Sequence, residues 1–192
     1  MRSSPARVLG LALLAGAAWA LPALASGDSG RPASLVLSGG YRIFNHQLGL
    51  QNDAALGVRV GLGVAPRFQL AIDYVLSDPL RASTHKPSSV SALRALARYD
   101  VLPGATRAYV VAGAGGLLVN FTDAPDYSTG ALTAGVGLER HLTPRMILRL
   151  EGTADLYRAE IVAYDPGGAE LSRSARLTDA LAAISAGIGV EF

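Results

Sequence analysis

The run Ala55-Leu56-Gly57-Val58-Arg59-Val60-Gly61-Leu62-Gly63-Val64-Ala65-Pro66-Arg67-Phe68-Gln69-Leu70-Ala71-Ile72-Asp73-Tyr74-Val75-Leu76-Ser77 decides the fold. Leu56, Val58, Val60, Leu62 and Val64 share one face of its first half, opposite Ala55, Gly57, Arg59, Gly61 and Gly63. Past Pro66-Arg67 the alternation resumes, with Phe68, Leu70, Ile72, Tyr74 and Leu76 opposite Gln69, Ala71, Asp73, Val75 and Ser77. Two segments of period two joined by a proline turn predict an antiparallel hairpin. A proline inside either segment would remove a ladder hydrogen bond, so its position marks the turn.

The same period extends in both directions. Leu35, Leu37, Gly39, Tyr41 and Ile43 alternate with Ser34, Val36, Ser38, Gly40 and Arg42, and further segments are expected near 89–101, 107–119, 129–142, 145–158 and 179–192. That makes eight strands. Intrinsic propensity alone would suit a helix at 90–99 and at 176–186, and the glycine-rich 108–119 stretch leaves its faces open. The remaining prolines agree with the scheme: Pro32 precedes the first strand, and Pro66, Pro79, Pro87, Pro103, Pro125, Pro144 and Pro166 all fall between strands. Connections are short at Pro66, Pro103 and Pro144 and long at 44–53, 77–88, 120–128 and 159–178. This places the two kinds at opposite ends of an up-and-down meander. Pro66-Arg67-Phe68-Gln69-Leu70 is echoed by Pro144-Arg145-Met146-Ile147-Leu148, in keeping with a repeated hairpin.

Composition restricts the setting. Half of the 192 residues are hydrophobic, 17% are charged, 22 are glycine and none is cysteine. Disulfides and cysteine-ligated zinc are therefore excluded. Arg2 and Arg7 precede a charge-free stretch from Val8 to Ala20 and then Leu21-Pro22-Ala23-Leu24-Ala25, the order of a secretory signal peptide spanning 1–25. Without it, residues 26–192 carry 17 − 2 = 15 basic and 15 acidic side chains. A neutral domain has no excess positive charge with which to displace counterions from phosphates, so no nucleic-acid partner is expected.

The two faces then have to be oriented. Arg42, Arg59, Asp73, Arg94, Arg98, Asp100, Glu139, Arg149, Glu151, Asp155 and Glu191 lie on the polar face, among glycine, serine and alanine. In a narrow eight-stranded barrel these ions can pair with one another inside. The expected fold class is thus all-β, an eight-stranded antiparallel up-and-down transmembrane barrel at 26–192, with aliphatic residues facing lipid. Tyr41, Phe68, Tyr74, Tyr99 and Phe192 would form its interfacial girdle. A soluble lipocalin-like barrel, with the faces reversed, is the rival at the level of fold.

The final stretch, Ala182-Ala183-Ile184-Ser185-Ala186-Gly187-Ile188-Gly189-Val190-Glu191-Phe192, resembles the last strand of bacterial outer-membrane proteins. With Gly39-Gly40-Tyr41, the Ala108–Gly115 segment, eight strands and a signal peptide, residues 26–192 resemble the small OmpA/OmpX-type outer-membrane barrels. The resemblance implies a Gram-negative outer-membrane location, a periplasmic amino terminus and four outer loops. It also implies recognition of Phe192 by the barrel-assembly machinery as an insertion signal. Outer-membrane lipid and lipopolysaccharide are the implied partners. The peptidoglycan-binding domain of larger relatives is not expected.

Candidate chemistry is sparse. His46 and His85 fall in long loops and His141 beside a short turn, too dispersed for a metal cluster. Asp123 and Asp126 supply only two carboxylates for calcium. Some small outer-membrane barrels are lipid A deacylases with a His-x-Ser pair, a spacing that neither His141-Leu142-Thr143 nor His85-Lys86-Pro87-Ser88 reproduces. No catalytic residue, cofactor or metal is expected. The expected role is structural or surface-interacting, with a narrow or gated channel and a lipid-modifying enzyme as alternatives.

Overall fold

The computed structural model describes residues 32–44, 48–122, 126–159, 162–164, 170–173 and 177–192. The expected signal peptide at 1–25 lies outside the described residues. Among the described residues ten strands form: β1 (Ala33–Ile43), β2 (Asp53–Ala65), β3 (Phe68–Ser77), β4 (Ser88–Leu102), β5 (Thr106–Phe121), β6 (Tyr127–His141), β7 (Met146–Ala159), β8 (Val162–Tyr164), β9 (Glu170–Arg173) and β10 (Leu177–Glu191). Eight of them close in the order β1-β10-β7-β6-β5-β4-β3-β2. Every neighbouring pair is antiparallel, and β1 seals the barrel against β10 from Ser34↔Glu191 to Ile43↔Ala182. Closure leaves no unpaired sheet edge, the condition for strands to cross hydrocarbon.

Proline places the short turns. Irregularities at Gly63/Ala65 and Asp100/Leu102 lie immediately before Pro66 and Pro103, where an extra residue relieves the ladder before the chain reverses. The segments with helical propensity are both strands. Arg94 pairs with Asp73 on one side and Gly115 on the other, so sheet register overrides the preference of Ala92–Ala97 for a helix. The open face of 108–119 is settled as well: Tyr109, Val111, Leu117 and Val119 are buried, and Val110 and Leu118 face outward. One departure is the β8–β9 ribbon inside the fourth long connection, two strands too short to show a period.

The outward face is apolar. Leu56, Ile72, Leu132, Val136 and Ile184 are each at least 60% exposed. Along β6 and β7 the outward positions are charge-free between Arg140 at the short-turn end and Arg158 at the long-loop end. Arg140 pairs with Leu148, ten residues before Arg158 on the same strand. At about 3.3 Å per residue and a tilt near 40°, the two arginines bracket a band roughly 25 Å high. Tyr41, Phe68, Tyr99 and Phe192 are exposed at the edges of the apolar surface, but Tyr74, expected among them, is buried at 8% exposure.

Candidate functional site

Inward positions build two stacked layers of ion pairs. In the middle of the lumen, Arg59 on β2 donates through Nε to Asp73 (3.1 Å) and through both Nη atoms to Glu151 (2.6 Å each). Arg94 on β4 reaches Asp73 at 2.5 Å and Asp155 at 3.1 Å. The Thr133 hydroxyl donates to Asp155 at 2.7 Å and the Tyr109 hydroxyl to Glu151 at 2.8 Å. Both oxygens of Asp73 are thus occupied by guanidiniums from flanking strands, the arrangement in which desolvated charges are best tolerated.

Nearer the short turns, Glu139 is the centre. Arg98 grips it with two bonds of 2.6 and 2.8 Å, and Arg149 donates to its Oε2 from Nε (3.1 Å) and Nη2 (2.7 Å). Arg98 also bonds Asp100 at 2.7 Å. Between the layers lies the Tyr109 ring, with the Arg98 guanidinium 4.0 Å from its centroid and that of Arg149 at 5.7 Å. Cation–π attraction and the Tyr109–Glu151 hydrogen bond couple the two layers through one side chain. Gly137 makes room for it, since a Cβ there would fall 2.3 Å from the Tyr109 ring.

Two residues outside the expected ionic set join this lower layer. His141 Nε2 lies 2.9 Å from Glu191, and Arg107 stands 3.7 Å from Glu191 and 3.9 Å from Glu139. Arg98, Asp100, Arg107 and Glu191 also line a vestibule of about 450 Å³ at the short-turn mouth, together with Gln69 and the 63–68 turn. Higher up, Ser38, Gly57, Ser185, Arg59 and Glu151 surround a polar cavity of about 30 Å³, room for one or two waters.

Arg42 is inside the lumen at 1% exposure but outside both layers. Its Nη1 donates weakly to Ser77 (3.4 Å) and to the Val90 carbonyl (3.3 Å), while Nε and Nη2 have no partner among the described residues. The middle layer below it sets two arginines, Arg59 and Arg94, against three carboxylates, Asp73, Glu151 and Asp155. Arg42 offsets that excess from a distance. Unmet donors in a desolvated guanidinium are costly, and a neutral side chain of similar length removes the cost. Arg42→Met is therefore expected to stabilise the barrel by about 1 kcal/mol in urea titrations. A lowered midpoint would show that its attraction to the carboxylates below outweighs its desolvation.

Above Arg42 the lumen is mostly apolar, with the buried carboxylate of Asp179 accepting the Tyr157 hydroxyl at 2.9 Å, and sequence reasoning missed both features. Phe44, Leu50, Val90, Leu117, Val119, Tyr157 and Leu181 form a buried cluster against which Leu48, Phe121 and Tyr127 pack. The first long loop supplies Phe44, Leu48 and Leu50 and folds over the mouth, where the Phe44 amide donates to Asn52. It is locked to the second loop by Gln51 N to Leu80 O (2.8 Å) and Ala82 N to Gly49 O (2.7 Å). Arg81 then stacks 5.2 Å over the ring of Phe121, which ties in β5. Of the other candidates, His85 lies in the second long loop with a positive φ of 55°, at the opposite end of the barrel from His141. Asp126 accepts the Phe121 amide. His46 and Asp123 lie outside the described residues.

Solved structures match this architecture. Neisserial surface protein A superposes with a TM-score of 0.58 at 16% identity, over 87% of this chain and 100% of that one. The N-terminal β-barrel domain of OprF from Pseudomonas aeruginosa matches at 0.52 and 15% identity, over 83% and 97%. Ail, the attachment invasion locus protein of Yersinia pestis, matches at 0.52 and 10% identity, over 85% and 99%. No protein-family model matches the chain, and no curated protein matches it. The fold is that of the small eight-stranded outer-membrane barrels.

Proposed function

We propose that the chain is an integral outer-membrane barrel with a non-catalytic structural or surface-interaction role, its lumen closed and its long loops displayed outside the cell. The double closure of the lumen carries this reading. Two layers of bonded ions fill the short-turn half, and an apolar plug under an interlocked lid fills the other. An eight-stranded barrel has only enough interior for side chains, and these side chains use it. The charge-free band between Arg140 and Arg158 supports residence in a bilayer, with Arg158 at the level where lipopolysaccharide phosphates would meet it. The likeness to Ail, whose name is the attachment invasion locus protein, supports a surface-interaction role for a barrel of this size.

The vestibule and the polar cavity favour the second reading, a narrow gated passage. The two readings separate in planar bilayers. The refolded chain is expected to migrate differently in boiled and unboiled gel samples, to sediment with outer membranes and to show no single-channel steps. Discrete openings would replace the closed-barrel reading with the channel, and recovery in the aqueous fraction would remove both.

A further inference from the structure

The short-turn rim carries an uncompensated set of arginines. Arg67, Arg140 and Arg145 are exposed there, and among the described residues none of them pairs with a carboxylate. The acids of that end are turned inward: Asp100 onto Arg98, Glu139 onto Arg98 and Arg149, and Glu191 onto His141. Among the described residues the outside of the rim is therefore basic, although residues 26–192 together are neutral.

Two of these arginines share one hairpin. Arg140 is the last outward residue of β6 but for the turn itself, and Arg145 lies at the tip of the β6–β7 turn, about 10 Å away along the strand. The turn is stiff. The Thr143 hydroxyl accepts the amides of Arg145 (3.3 Å) and Met146 (2.9 Å), and the Arg145 carbonyl accepts the Glu191 amide at 2.8 Å, pinning the tip to β10. Leu138, Leu142, Met146 and Phe192 are exposed around the pair. Apolar side chains that enter the acyl layer beside two arginines on this pinned backbone place their guanidiniums at headgroup depth, where planar N–H forks match phosphate oxygens.

We propose that Arg140 and Arg145 bind the phosphate of an anionic phospholipid, phosphatidylglycerol in type, in the leaflet that meets the short turns. The inference rests on the membrane reading given above. A zwitterionic headgroup offers a phosphate too, but its own ammonium competes for it, so the basic rim selects the lipid with net charge.

The test uses the full chain folded into vesicles of phosphatidylcholine and phosphatidylglycerol in equal parts, released and weighed by native mass spectrometry. Wild type is expected to retain phosphatidylglycerol in preference to phosphatidylcholine. Arg140→Gln with Arg145→Gln is expected to retain about tenfold less of it, and Arg67→Gln, a lone rim charge across the barrel, to behave as wild type. Equal retention by wild type and the double variant, or equal retention of both lipids by wild type, overturns the site. Gel migration of the same samples before and after boiling reports folding into the bilayer independently. Its loss in wild type would strike the membrane reading instead.

Discussion

Val136→Arg is expected to destabilise the barrel in lipid by about 2–4 kcal/mol, measured from urea titrations of the folded fraction in phosphatidylcholine vesicles. Val136 faces outward at 63% exposure, close to midway between the levels of Arg140 and Arg158. Its outward neighbours across the ladder are Val110 and Gly152. A guanidinium there has neither a carboxylate to meet nor the length to reach either headgroup layer. Leu138→Arg, one outward position from Arg140, is expected to cost no more than about 1 kcal/mol, because its charge can snorkel to the interface. The contrast between the two is diagnostic. In a soluble barrel both are exposed surface substitutions worth within about 0.5 kcal/mol, so equal small effects would mean that the aliphatic face does not contact hydrocarbon.

Much of this was legible because a closed meander repeats one local rule. The alternation of Leu93, Ala95, Ala97 and Tyr99 against Arg94, Leu96 and Arg98 locates β4 despite the helical propensity of its alanines and leucines. Pro66, Pro79, Pro87, Pro103 and Pro144 each fall within two residues of a barrel-strand end, whereas Pro166 marks only the interior of the fourth long connection. What the alternation cannot carry is what each inward residue meets across the lumen. Arg59 chooses Glu151, 92 residues away, and that choice depends on barrel stagger rather than on either strand. The rule that the inward face is polar also fails in the long-loop half, where Val90, Leu117, Val119 and Leu181 point inward. On β5 both faces are apolar there, so the period survives but its contrast vanishes, and the faces of 108–119 stay open in the sequence. Arg107 and His141 stand at strand ends, outside the alternating stretch that marks the inward ions. Only the tilt of the barrel brings Glu191 between them.

Glu139→Gln is expected to be the most disruptive single interior change, at about 3–5 kcal/mol. Glu139 is 1% exposed and is gripped by Arg98 and Arg149, each through two bonds. Arg98 would keep Asp100, but among the described residues the hydrogen bonds of the Arg149 guanidinium all go to Glu139. Glutamine preserves volume and shape, so the loss measures an uncompensated buried charge rather than a cavity. A second substitution isolates that cause: Glu139→Gln combined with Arg149→Met removes the stranded cation and is expected to recover at least half of the loss, a coupling visible in a double-mutant cycle. Urea midpoints for wild type, both single variants and the double variant supply the four corners. A single variant within about 1 kcal/mol of wild type, or a double variant whose loss is the plain sum of the singles, would mean that water entering from the vestibule already screens Arg149 and that the lower layer is filler rather than a linked ionic unit.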